Sequence, residues 1–353
     1  MKKISSVIVC LLLASPFIPG CTPKSTDCSK PEIFCVGLVT DVGRIDDKSF
    51  NQSAWEGIQQ AKKDGTTTWI EYIETTDARD YGMNIAIFGD ARYDVVVTVG
   101  LALTDATIAA AIKYPNIYFI GVDQIQDTRQ AVPSNLVGLI FPEDTAGFLV
   151  GALAAAMSTT HKIGAVCGTG AVPSVWRYCE GYRAGAAYTD VKLSNTTQVS
   201  IIYHNDVGMD KTFLDPVWGA QMADSLIAKG ADVIFGAGSK TGNGAVVEAA
   251  ARSIYIIGDD IDQYYAMPEA APMMLSSATK QVAPGVTELI TRARDAQNRQ
   301  ATFPSGNYTG TVGFAPYHDL DSKVPVYVKS MMDELNTGLL NGTIQTSVPA
   351  ARP

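Results

Sequence analysis

Short apolar runs alternate with longer stretches of helical spacing along most of this chain. Runs at 36–40, 95–100, 117–123, 136–141, 163–168, 199–203, 233–238, 254–258 and 273–277 are rich in Val and Ile and do not alternate with polar residues. Strands covered on both faces, as in parallel sheets, read this way. Between them, segments 51–63, 80–90, 104–113, 143–158, 174–189, 217–229 and 243–251 space apolar residues as amphipathic helices do. The β-α-β rhythm predicts an α/β protein with doubly wound parallel sheets. So many strands exceed a usual single sheet, which predicts two lobes with a seam near 139–145. Segments 281–299 and 312–323 read as returns across that seam. Lobes crossed repeatedly by one chain can hinge but not separate, an arrangement that suits a ligand held in a cleft. No internal repeat is evident.

The stretch 36–58 organises the rest: a buried strand, a polar loop, then a helix from Ser49. Ser49 and Gln52 have capping-box spacing. Asp41, Phe50 and Asn51 would gather where the strand's carboxyl end meets the helix, the edge at which open α/β sheets bind ligands. They offer a charged acceptor, an aromatic face and an amide. Asp123, Asp260 and Asp262 likewise follow strands. The stretch 235–244, with Gly238 at its turn, joins a strand to a helix but fails both phosphate-loop patterns: Ser239 precedes Lys240, and Thr241 replaces the last glycine of G-x-G-x-x-G. A turn that lets backbone approach a ligand fits better. Catalysis finds little support, because His161, His204 and His318 stand in unrelated settings and no nucleophile motif accompanies them. The aspartates read as acceptors for ligand hydroxyls, and no catalytic residue, metal or cofactor is expected.

Composition narrows the choice further. At 353 residues, 46% hydrophobic and 18% charged, the chain is ordinary for two globular units. A formal charge of −9 leaves no basic stripe for phosphates and argues against nucleic acid as a partner. Lys2 and Lys3 precede an apolar run at 4–14 that is too short to span a bilayer, as in a secretory signal. The run leads to Ile18-Pro19-Gly20-Cys21, similar to a bacterial lipobox, which predicts acylation of Cys21 and a polar tether over 21–32. Cys28, Cys35, Cys167 and Cys179 have no metal-site spacing. Cys35 and Cys167 sit in strand-like runs and read as small core residues; a disulfide is open, its connectivity unreadable.

Several segments together resemble the basic membrane protein family, substrate-binding lipoproteins of the purine nucleoside receptor type. They are Val39-Thr40-Asp41 with Asp46-Asp47-Lys48-Ser49-Phe50-Asn51-Gln52 and Trp55-Glu56-Gly57, then Gly147-Phe148-Leu149-Val150-Gly151 and Glu180-Gly181-Tyr182-Arg183-Ala184-Gly185. Thr241-Gly242-Asn243-Gly244, Gly258-x-Asp260-x-Asp262-Gln263 and Val312-Gly313-Phe314-Ala315-Pro316-Tyr317-His318-Asp319 complete the set. The resemblance implies a type I periplasmic-binding-protein fold, two doubly wound parallel-sheet lobes joined by three hinge crossovers. The lobes would comprise 33–139 with 282–310, and 140–281 with 311–353, after a signal peptide at 1–20.

The resemblance also implies a monomeric, non-enzymatic receptor, exported and lipid-anchored on the bacterial membrane, that hands purine nucleosides to an ABC permease and its ATPase. Asp41 and Asn51 would bond the base, with Phe50 and Phe235 stacking on it from opposite lobes. Asp123, Asp260 and Asp262 would take ribose hydroxyls, and Lys280 would reach the cleft near the hinge. Asp259 and Lys240 depart from the family pattern; Asp259 is expected to point away from Asp260's side. Another small ligand in the cleft, or a surface antigen with a vestigial cleft, are the alternatives. A nucleoside-processing enzyme would need a metal cluster or a phosphate site.

Overall fold

The computed structural model describes residues 26–209 and 211–353; the signal segment and Cys21 lie outside the described residues. The first half runs β1 (Cys35–Val42), α1 (Phe50–Lys63), β2 (Trp69–Thr75), α2 (Tyr81–Asp90), β3 (Val95–Val99), α3 (Thr104–Lys113), β4 (Tyr118–Val122) and β5 (Leu136–Ile140). The second runs α4 (Glu143–Met157), β6 (Lys162–Cys167), α5 (Pro173–Leu193), β7 (Gln198–Tyr203), α6 (Pro216–Ala228), β8 (Val233–Ala237) and α7 (Ser239–Ala251). It continues with β9 (Tyr255–Asp260), α8 (Gln263–Ala266) and β10 (Met274–Lys280). The chain closes with α9 (Val282–Gln297), β11 (Gly306–Thr309), β12 (Val312–Phe314) and α10 (Val326–Leu340).

Two sheets result, ordered β11-β5-β4-β3-β1-β2 and β12-β10-β9-β8-β6-β7. Pairing is parallel throughout except between β10 and β12. The chain passes between the sheets after β5, after β10 and after β11, so the two lobes share three crossovers. Adding five to the strand numbers β1 to β5 turns one order into the other. The duplication is therefore real in topology although no sequence repeat announces it. The central strand β3 is buried at every position, whereas the edge strand β2, WIEYIET, is mostly part-buried, with two glutamates interrupting its apolar residues. Those charged interruptions leave β2 without the unbroken apolar run by which the other strands are read.

In the first lobe α1 and α9 cover one face and α2 and α3 the other; in the second, α4 with α5 oppose α6 with α7. The α4–α5 crossing explains two of the family-like segments. A Cβ on Gly147 or Gly151 would lie 2.0 Å from the carbonyl oxygen of Tyr178 or Tyr182, and one on Gly185 would lie 1.9 Å from that of Phe148. Those glycines let two backbones touch, which fixes Glu143 and Tyr178 at the ends facing the other lobe. Cysteine usage departs from expectation. Cys35 and Cys167 are not free core residues but half-cystines, paired with Cys28 and Cys179. One bridge ties the start of the described chain to β1; the other ties β6 to the first half of α5.

Candidate functional site

The carboxyl ends of both sheets face each other across a cleft with about 1020 Å3 of free space, its open mouth included, at the upper end of the ~300–1,000 Å3 usual for small-molecule sites. The carboxyl end of β1 supplies Asp41, the loops after β3 and β4 supply Gly100 and Asp123, and α1 supplies Phe50 and Asn51. The second lobe supplies Tyr178 from α5, Phe213 from the loop before α6, Gly238 and Ser239 at the start of α7, Asp259 and Asp260 from β9, and Lys280 from β10. Asp123 and Asp260 occupy matching strand ends, and both adopt a left-handed backbone, with φ of 59° and 60°. Short polar residues tolerate that region best among those with a Cβ. It turns the chain off each strand at the cleft.

The turn Asp47–Ser49 does more than begin a helix. Ser49 does not cap α1 with its side chain, contrary to the capping-box reading. Asp47 does: its Oδ1 accepts the amides of Ser49 and Gln52 (3.0 and 3.1 Å), and its Oδ2 accepts that of Asn51 (3.1 Å). Ser49 is thereby free to reach across the cleft, where its Oγ donates to Asp260 Oδ2 at 2.7 Å. Ser239 Oγ donates back to Asp47 Oδ2 (3.1 Å), Asn243 Nδ2 to the Asp47 carbonyl (2.9 Å) and Gln263 Nε2 to the Lys48 carbonyl (3.0 Å). Gln52 instead donates to Glu56 at 2.8 Å. The lobes are thus fastened at the cleft's rim by one three-residue turn.

Acidity dominates the electrostatics. Burial pushes the Asp41 carboxyl up to about 6, against the Asn51 amide, whose Nδ2 donates to Asp41 Oδ1 at 3.1 Å; the charges of Asp47 and Asp123 add to the rise. Burial also raises Asp47 and Asp260, and it raises Asp259 strongly, with neighbouring Asp260 adding to it. Lys280 is the counterweight. Burial alone would depress its ammonium, but Asp123, Glu143 and Asp260 outweigh that and raise it. Its Nζ lies 2.5 Å from Asp123 Oδ2 and 3.2 Å from Glu143 Oε1, 4.9 Å from the centre of the Phe50 ring. The same burial pushes Glu143 up to about 7, against Lys280. Two buried acceptors, Asp123 Oδ1 and Asn51 Oδ1, have no partner within the protein. Unpaired acceptors in such a place call for donors from a ligand or water.

Seven of the residues expected from sequence meet here: Asp41, Phe50, Asn51, Asp123, Gly238, Asp260 and Lys280 all line the cleft. Two do not. Phe235 lies in the middle of β8, a central strand, and points into the second lobe's core, where it stacks on Tyr182 with ring centres 5.3 Å apart. Asp262 sits past the turn made by Asp260; its carboxylate accepts from His318 Nε2 at 2.8 Å, and that imidazole stacks on Tyr264 at 4.0 Å. The pairing of those two absorbs the Asp262 and His318 motifs into local structure. Asp259 lies on the cleft rather than away from it, its Oδ2 accepting the Gly238 amide at 2.8 Å.

The second lobe's aromatic wall is instead Phe213, which lies against Gly168; a Cβ on that glycine would be 2.5 Å from its ring. Its signal in the sequence is slight: the one large aromatic of the loop HNDVGMDKTFLD, half-buried in the structure with part of its ring packed against the second lobe's core. Among the described residues no group of His, Cys, Asp and Glu is placed to hold a metal ion, and no helix is long and apolar enough to cross a membrane.

Comparison with known proteins agrees with this geometry. A family model described as ABC transporter substrate-binding protein PnrA-like matches residues 34–343. The chain is 30% identical to the CD4+ T-cell-stimulating antigen of Listeria monocytogenes over 375 aligned positions, covering 98% of each protein. It is 26% identical to the ABC transporter nucleoside-binding protein BmpA of Lactococcus lactis, covering 86% of this chain and 87% of that one. An ABC transporter solute-binding protein from Aeropyrum pernix superposes with a TM-score of 0.75 at 22% identity, over 90% of this chain and 94% of that one, which makes the fold that of a periplasmic solute-binding protein. The match over nearly the whole described chain places this protein in the PnrA-like family of ABC transporter substrate-binding proteins.

Proposed function

We propose that this protein captures purine nucleosides outside the cell membrane, to which a lipid on Cys21 anchors it, and delivers them as a monomer to an ABC permease. The observation that carries the ligand class is that Phe50 from the first lobe and Phe213 from the second both line the cleft among acceptors, and that among the described residues its one lining cation, Lys280, is already ion-paired. A base stacks between the rings. Asp41 and the unpartnered Asn51 Oδ1 accept its N–H groups, while Asp123 and Asp260, one from each lobe, accept the ribose hydroxyls. Lining the cleft are five carboxyls (Asp41, Asp47, Asp123, Asp259 and Asp260) and one ammonium, Lys280, already held by Asp123. A phosphate would meet that acidity unpaired, so the neutral nucleoside is preferred to the nucleotide. The Lactococcus relative's name points the same way. The two disulfides accord with an oxidising compartment.

Transport follows from closure. A ligand held by Asp123 and Asp260 at once stabilises only the arrangement in which the lobes meet. The test is calorimetric titration of residues 22–353, unfolded and refolded to strip carried ligand, with adenosine, guanosine, inosine, cytidine, ribose and adenosine monophosphate. Purine nucleosides binding far more tightly than ribose or the nucleotide, with no free base appearing, is the expected result. No heat from any nucleoside on folded protein would remove the ligand assignment. Labelling by radioactive palmitate that is lost in Cys21→Ala tests the anchor.

A further inference from the structure

A second, smaller hollow adjoins the cleft beside the first crossover, with about 320 Å3 of free space, its open mouth included. Leu101, Asp123, Val172 and Ser174 border both spaces. Beyond them its walls are apolar: Ile125, Ile140, Phe141 and Pro173. Its two other polar residues, Glu143 and Arg177, face each other at 3.3 Å, and Arg177 is further engaged by Asp144 at 2.8 Å, so neither charge is left to select a charged group. The hollow therefore differs in kind from the acidic cleft that it joins.

We propose that this hollow is a subsite for an apolar substituent on the 5′ carbon of the nucleoside, so that 5′-alkylthio purine nucleosides are ligands alongside the parent nucleosides. The inference rests on the nucleoside reading above. With the base between the rings and the sugar hydroxyls at Asp123 and Asp260, the 5′ carbon is the one sugar substituent still unassigned. Asp123 stands at the border of the two spaces, and its free Oδ1 keeps the sugar there. A group continuing past Asp123, Leu101 and Val172 leaves the carboxylates and enters the apolar walls. A methylthio group matches them, being apolar, compact and polarisable. Removing it from water against these side chains favours binding by roughly tenfold, at the usual gain for one or two carbon-sized groups.

The probe is 5′-deoxy-5′-methylthioadenosine, titrated against adenosine on refolded residues 22–353 and on the Ile125→Trp variant. Ile125 lines the hollow and not the cleft, and it is half exposed, so a larger ring is accommodated without disturbing either lobe. The expected result is roughly tenfold tighter binding of the methylthio compound by the parent protein, a preference that disappears in Ile125→Trp while the adenosine Kd moves less than twofold. Tight adenosine binding with methylthioadenosine tenfold weaker, or a preference indifferent to Ile125→Trp, would overturn the subsite and leave the nucleoside reading intact. Failure of both compounds to bind folded protein would overturn both.

Discussion

Ser49→Ala isolates the fastening between the lobes. In the closed arrangement Ser49 Oγ gives Asp260 a 2.7 Å hydrogen bond, and Asp260 is buried; Tyr178 Oη, at 3.4 Å, is a poor substitute. A hydrogen bond to a charged group contributes about 1.5–3 kcal/mol, so its loss weakens closure by roughly ten- to a hundredfold. Once the lobes open, water solvates Asp260 whether or not residue 49 carries a hydroxyl. The cost therefore falls on ligand affinity and not on the stability of either lobe. Asp47, which caps α1, is untouched, so the helix keeps its start. Titration calorimetry should give a Kd raised by that factor, the urea midpoint of ligand-free protein should hold, and small-angle scattering should show a larger radius of gyration at equal ligand. A Kd within twofold of the parent would refute the reasoning. So would a fall in ligand-free stability by the whole amount, which would mean that the lobes are fastened without ligand.

Three further outcomes follow from the same geometry. Phe50→Ala and Phe213→Ala should each weaken purine nucleoside binding by about 1–3 kcal/mol in calorimetry, whereas Phe235→Ala, in the core, should lower the free energy of unfolding in urea by about 3–5 kcal/mol and leave the affinity of the folded fraction near the parent's. Asp41, raised to about 6 from 3.8, favours its protonated form on folding: its contribution is complete below about 3.8 and is lost as pH rises through 6, about 3 kcal/mol in all. A ligand N–H donating to the carboxylate works in the opposite direction, so affinity should rise from pH 5 to 7 and the slope should flatten in Asp41→Asn. Replacing Cys167 and Cys179 by Ser opens a loop of sequence separation 12 and should cost about 3 kcal/mol in urea unfolding, with a weaker Kd because the bridge holds the part of α5 that carries Val175 and Tyr178.

The fold was legible because its central strands are unbroken apolar runs and its aspartates end them. What escaped has physical causes. An edge strand such as β2 is half polar and mimics a loop. A side chain's facing depends on register, so Phe235, one residue of a strand buried throughout, could not be told from a cleft residue. Phe213 sits in a loop, where no periodicity speaks for it. Ser49 looked like a cap because the spacing fits one, yet Asp47 two residues earlier outcompetes it with a charged acceptor for three amides. Disulfide pairing depends on the folded distance between strands and helices, which spacing alone does not carry.

The duplicated topology puts matching groups on the two lobes, where on the proposed reading they hold a bridging ligand, and a difference between the two strand ends bears on which ligands are refused. β4 ends Ile120-Gly121-Val122 and leads into Asp123-Gln124, and β9 ends Ile257-Gly258-Asp259-Asp260 before Gln263. In each, glycine makes room for a glutamine folded back on the strand, since a Cβ on Gly121 or Gly258 would lie 2.4 or 2.3 Å from that glutamine's Oε1. Each strand then delivers a left-handed aspartate to the cleft, so a vicinal diol finds one acceptor on either side. The lobes differ at the preceding residue, Val122 against Asp259. Asp259 accepts the Gly238 amide at the start of α7, and Asp47 from the opposite lobe accepts Ser239 Oγ beside it. A helix amino terminus is where a nucleotide's phosphate would otherwise settle. Here the protein's own carboxylates already occupy it, so on the proposed reading this glycine-rich stretch, which fails the phosphate-loop patterns, counts against a phosphate-bearing ligand.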